Sequence, residues 1–136
     1  MEGKSINRYH SYCRSLDNLA DAKGRDRTDK FVLSGTVQMF NLSFDLAWKV
    51  MKDIITEYHG ALEYPTGSPR ETLRMANSVG LIGDDMWLEM LRARNNLAHD
   101  YDGELAVRYF EKITSSDNDL MKKFRDKAAV YYQEAE

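Results

Sequence analysis

The sequence predicts an all-α protein: an antiparallel, up-down four-helix bundle with short additional helices, forming a single domain over residues 1–136. Three observations predict it. Apolar residues recur at steps of three and four along four long segments. No segment alternates apolar and polar residues for long enough to make a sheet. Two prolines and eight glycines punctuate the chain sparsely, leaving long stretches between them free to be helical.

Composition sets the class. Hydrophobic residues make up 43% and charged residues 30%, the balance of a soluble globular domain long enough for one core. No apolar run reaches membrane-spanning length, so no membrane association is expected. Met1-Glu2-Gly3-Lys4-Ser5 is followed by no apolar stretch, so no signal peptide is expected. The single cysteine, Cys13, cannot close an internal disulfide and fits a reducing, cytoplasmic location. Its place in the first helix reads as packing. There is no internal repeat and no low-complexity segment.

The elements follow in order. Ile6, Tyr9, Cys13, Leu16 and Ala20 step by three and four, with Tyr12 and Leu19 widening the apolar face of a first helix. Asp21 to Asp29 is dense in charge, contains Gly24, and reads as a loop. Leu33, Val37, Phe40, Phe44, Ala47, Met51, Ile54 and Tyr58 then form a heptad seam. Leu46, Trp48, Val50 and Ile55 extend it sideways, so this second helix must meet more than one neighbour. Its aromatics read as core. His59-Gly60 ends it, and Tyr64-Pro65-Thr66-Gly67 is turn chemistry.

Ser68-Pro69-Arg70-Glu71 is a helix start: a cap, a proline at the first helical position and the glutamate of a capping box. Gly80 and Gly83 keep that helix short. Asp84 or Asp85 is expected to cap the next helix, and Asp102-Gly103 to interrupt it. Leu105, Ala106, Tyr109, Phe110 and Ile113 form another apolar face, which Ser115-Ser116-Asp117 is expected to break. Met121, Phe124, Ala128 and Tyr131 close the chain with one more helix.

Chemistry concentrates in Arg92-Ala93-Arg94-Asn95-Asn96-Leu97-Ala98-His99-Asp100-Tyr101. At roughly 100° per residue, Trp87, Met90, Leu91, Arg94, Ala98 and Tyr101 share one face. Asn95 and His99 form an i,i+4 pair on its flank. Arg94 therefore lies inside an apolar stripe, which costs several kcal/mol unless a partner or ligand satisfies its donors. Structural readings compete with a functional one. Arg94 can pair with a carboxylate in the bundle, or snorkel with its stem packed and its head wet. His99 and Tyr101 can be ordinary helix-end residues. Four such groups on one edge put the functional reading ahead.

Arg94 to Tyr101 resembles the Arg, polar residue, three variable residues, His, one residue, Tyr motif of the HEPN superfamily, in its HepT-like branch. Two further stretches resemble the nucleotidyltransferase substrate-binding protein family of that branch. One is Gln38-Met39-Phe40-Asn41-Leu42-Ser43-Phe44-Asp45-Leu46-Ala47-Trp48-Lys49. The other runs from Ser68-Pro69-Arg70-Glu71 through Gly80-Leu81-Ile82 to Trp87-Leu88-Glu89-Met90-Leu91. The likeness covers roughly Phe31 to Tyr101 in order and spacing. Asn96-Leu97-Ala98 departs from many members, at variable positions. The resemblance implies the same helical bundle.

The residues narrow the chemistry. His10, His59 and His99 are far apart, and neither Glu-x-x-His nor His-x-x-x-His occurs, so no metal site is expected. No glycine-rich phosphate loop and no Ser-His-Asp or Cys-His arrangement is legible, and no cofactor is expected. The net charge of -3 gives no general attraction for nucleic acid. Local basic residues must supply it: Arg92, Arg94, or Lys122, Lys123, Arg125 and Lys127, which read first as a solvated helix face.

What remains is phosphate and proton chemistry. Arg94 offers a bidentate fork and His99 a group that titrates near neutrality. RNA carries its own 2′-hydroxyl nucleophile, so these two can support metal-independent cleavage to a 2′,3′-cyclic phosphate. A leaving-group acid is also needed, and a two-fold homodimer would supply His99 twice. The resemblance implies that composite site, with Arg94 and His99 from both chains as catalytic residues. It also implies a competing role, in which Arg94, Asn95 and His99 hold an anionic or nucleotide ligand for a separate minimal nucleotidyltransferase; Asn95 and Arg92 are the candidate substrate-binding residues. In the toxin–antitoxin version the HEPN protein is the ribonuclease, and the nucleotidyltransferase neutralises it by adenylylating the motif tyrosine, here Tyr101. The order of expectation is ribonuclease toxin, then substrate-binding subunit, then a scaffold whose motif only staples a dimer.

Overall fold

The computed structural model describes residues 2–59, 67–83, 85–100 and 103–132. The described residues are helical, with no strand. The helices are α1 (Glu2–Ala20), α2 (Lys30–Tyr58), α3 (Pro69–Ser78), α4 (Met86–Leu97), α5 (Glu104–Lys112) and α6 (Asn118–Ala129). A π-helical segment, Ile113–Asp117, joins α5 to α6 without a break.

The helix ends follow local chemistry. Asp29 caps α2, its carboxylate accepting from the amides of Phe31 and Val32. Ser68 caps α3: its hydroxyl accepts from the Glu71 amide at 3.2 Å, with Pro69 at the first helical position. Gly80 follows α3 with φ of 86°, a left-handed conformation that costs glycine nothing. Asp85, one of the two expected caps, occupies the cap position of α4 and its side chain makes no capping bond. Asp84 lies outside the described residues, as do Gly60, the Tyr64-Pro65-Thr66 turn and Asp102. The expected break at Ser115-Ser116-Asp117 does not occur. No glycine or proline forces the chain out there, and the Thr114 hydroxyl donates to the Phe110 carbonyl at 3.0 Å. The helix absorbs the irregularity by widening into π geometry.

The core is organised on α2, which packs against α1, α3, α4, α5 and α6. Phe40, Phe44, Ala47, Met51 and Ile54, the middle of the predicted seam, are fully buried together with Val50 and Ile55 of its flank; Tyr58 at its end is exposed. On α1 Tyr12, Leu16 and Leu19, all within the predicted apolar face, are fully buried, and Cys13 is half-buried. A run of rings ties four helices together. Phe44 meets Trp87 at 6.2 Å between centroids, Trp87 meets Phe124 edge-on at 6.0 Å, and Phe124 meets Tyr12 at 5.8 Å. The Tyr12 hydroxyl, buried in apolar surroundings, donates to the Met121 carbonyl at 2.6 Å. Trp87 thus seats the first turn of α4 in the core and fixes the face that α4 turns inward.

Candidate functional site

On α4, Trp87, Met90, Leu91 and Leu97 are buried, and Arg94 emerges from among them. Its guanidinium meets Asp45 of α2 in a bidentate pair: Nε donates to Oδ1 at 3.0 Å and Nη2 to Oδ2 at 2.8 Å. The Arg94 and Asp45 side chains are 30% and 31% exposed. The hydrogen bond to Asp45 pushes the Arg94 pKa further up, outweighing the opposing effect of partial burial. This is the structural carboxylate that an inward arginine requires. The sequence did hold a signal for it, because Asp45 is the acid set within the apolar block Phe44-Asp45-Leu46-Ala47-Trp48. Two charges, each embedded in an apolar stripe, are each other's natural partner.

The motif does not stay helical to Tyr101. α4 ends at Leu97, and the His99 amide bonds back to the Asn96 carbonyl at 3.1 Å, a tighter i→i−3 closure. Ala98 keeps right-handed helical dihedrals at the cap position and is exposed. Asn95 and His99 are both exposed. Tyr101, assigned from sequence as a modification site, lies outside the described residues.

Asp100 explains the change of direction. Its carboxylate accepts from the amides of Leu105 at 3.0 Å and Ala106 at 2.9 Å, capping the start of α5. Gly103, with φ of 78°, makes the left-handed turn between them. The end of α4 is thus pinned to α2 by Arg94 and to α5 by Asp100.

Arg92 points the other way. Two residues from Arg94 places it about 200° round the helix, on the outer stripe with Glu89 and Asn96. That stripe lines a groove of about 160 Å³, whose other wall is Tyr109, Lys112 and Asp117. Arg92 and Arg94 are therefore on opposite faces of α4 and do not share a site. Lys112 Nζ donates to Asp117 Oδ1 at 2.7 Å, and the Asp117 side chain is only 2% exposed. Burial raises the Asp117 pKa; the pull of Lys112 opposes this, and the charge of Glu89 adds to it. Sequence reasoning missed this wall, because Ser115-Ser116-Asp117 reads as a helix break.

On the last helix two of the four basic candidates are engaged, while Lys123 is exposed. Arg125 lies 3.7 Å from Asp17 and 3.5 Å from Asp126, and Lys127 donates to the Gly80 carbonyl at 2.8 Å. Among the described residues no cluster of histidine, cysteine and carboxylate side chains is arranged to hold a metal ion, and no helix is long and apolar enough to cross a membrane. A sequence model of the family described as nucleotidyltransferase substrate binding protein like matches residues 4–129. No curated protein matches the chain.

Proposed function

This chain belongs to the nucleotidyltransferase substrate binding protein like family, and from that premise we propose that it is the substrate-binding subunit of a two-component nucleotidyltransferase. It presents a nucleotide to a separate minimal transferase, which supplies the catalytic groups. One observation carries this choice over catalysis by the chain itself: the fork of Arg94 is already filled by Asp45. A phosphate clamp needs those donors turned toward its ligand. With Arg94 bracing α4, the exposed side chains near its end are Asn95 and His99, and Arg92 is exposed on its outer face.

The test is reconstitution with a small nucleotidyltransferase encoded beside this chain. Transfer from a nucleoside triphosphate should require both proteins, and His99→Ala or Asn95→Ala should lower it. The chain alone should leave RNA intact.

A second reading has one observation in its favour. His99 is exposed just beyond Arg94, whose guanidinium keeps part of its surface in water. In a homodimer of the HEPN type, two such ends can face one another. The chain would then be a metal-independent ribonuclease toxin, silenced by a transferase that adenylylates Tyr101. Cleavage by nuclease-free protein in EDTA, leaving 2′,3′-cyclic phosphate ends and lost in His99→Ala and Arg94→Ala, would replace the first reading with this one. Mass spectrometry after incubation with the transferase and ATP would then find the label on Tyr101.

A further inference from the structure

The groove behind α4 has the chemistry of an anion site. Its Arg92 guanidinium is exposed and, among the described residues, makes no ion pair; even Glu89, three residues earlier on the same stripe, does not engage it. Five N–H donors therefore face water. Across the groove, Lys112 is fixed in place. Residues five apart are about 140° out of phase on an α-helix and cannot normally meet. The π segment, with its i→i+5 repeat, brings Lys112 and Asp117 onto one side. One ammonium proton goes to the buried carboxylate, leaving two for a ligand. Asn96 adds an amide, and Tyr109 a partly exposed ring that can take a stacked base.

Size narrows the ligand. Sites that enclose a drug-sized molecule run to about 300–1,000 Å³. At about 160 Å³ this groove takes one compact group, while the remainder of the ligand lies over its rim. We propose that the groove binds the phosphate group of a nucleotide, with Arg92, Lys112 and Asn96 as the binding side chains. This deepens the substrate-binding reading and rests on it for the nucleotide; the phosphate chemistry stands on the groove. Asp117 holds Lys112 in position and offsets part of its charge, and Glu89 on the rim opposes the ligand as well.

The test titrates the isolated chain by calorimetry with adenosine 5′-monophosphate, inorganic phosphate and adenosine. The monophosphate should bind, phosphate should compete for the same groove, and adenosine should not bind. Arg92→Gln, at an exposed position that leaves folding intact, should weaken binding about tenfold or more, the value of a lost charge-assisted bond. Asn96→Ala should weaken it less, and Glu89→Gln should tighten it. Arg108→Gln removes the same charge from an exposed site on α5 outside the groove and should leave affinity within about twofold. Equal affinity for wild type and Arg92→Gln, or equal losses in Arg92→Gln and Arg108→Gln, would overturn the site. So would adenosine binding as well as its monophosphate. Transfer with the partner that proceeds unchanged in Arg92→Gln removes the groove and leaves the subunit reading standing. Phosphate binding through Arg92 in a chain that supports no transfer keeps the groove and removes the reading.

Discussion

The Arg94–Asp45 pair makes a quantitative demand. Both side chains are about two-thirds buried and joined by two hydrogen bonds. Exposed ion pairs contribute about 0.2–1 kcal/mol, whereas breaking a fully buried pair costs about 3–5 kcal/mol. Partial burial and bidentate geometry place this pair between those limits, at a coupling of about 1–2 kcal/mol. The measurement is a double-mutant cycle by urea unfolding: wild type, Asp45→Ala, Arg94→Met and the double variant. Methionine keeps an unbranched apolar stem in place of that of Arg94, so the cycle isolates the charge. Asp45→Ala alone should cost more than the coupling, because it strands a half-buried guanidinium. The coupling should largely survive molar salt, which screens exposed pairs. A coupling inside the about 0.5 kcal/mol scatter of additive sites refutes the argument that Asp45 braces α4, and with it the reason for ranking substrate binding above cleavage.

Three further outcomes are expected. Trp87→Ala should cost about 3–5 kcal/mol by thermal unfolding, since the ring is 1% exposed and wedged between Phe44 and Phe124; a loss below about 1 kcal/mol would contradict that packing. Asp100→Ala should cost about 1 kcal/mol through the lost cap on α5, with Asp100→Asn recovering most of it; equal losses in the two variants would place the effect elsewhere. Asp117 carries a pH signature. Its pKa is raised by burial, so the folded state holds that proton more tightly than the unfolded chain. Between the ordinary aspartate value and the raised one, its contribution to stability falls as pH rises. The melting temperature of wild type minus that of Asp117→Asn should therefore shrink as pH rises above the ordinary aspartate value, and a difference that grows would reverse the assignment.

Most of the helices and the centre of the core were legible from local spacing alone. Spacing of three and four is a local record of which face is buried, so the seam from Phe40 to Ile54 and the cap at Ser68 were readable without any fold. It also marked α4 as the chemical element, because a lone arginine in an apolar stripe demands a partner wherever the chain goes. Tertiary structure decided who that partner is. Asp45 lies 49 residues away, and only the packing of α4 on α2 selects it over the other carboxylates. Tertiary structure likewise decided where the motif stops being helical. The Asp100 carboxylate is drawn to the first amides of α5, and that pull unwinds the chain after Leu97. The groove needed both faces of α4 and the π segment. Its walls come from residues whose spacing in sequence reads as a helix break, and a helix of i→i+5 repeat is marginal on local terms alone. Local rules report the residues that each segment must bury; which charges meet across the bundle depends on the one arrangement that buries them all at once.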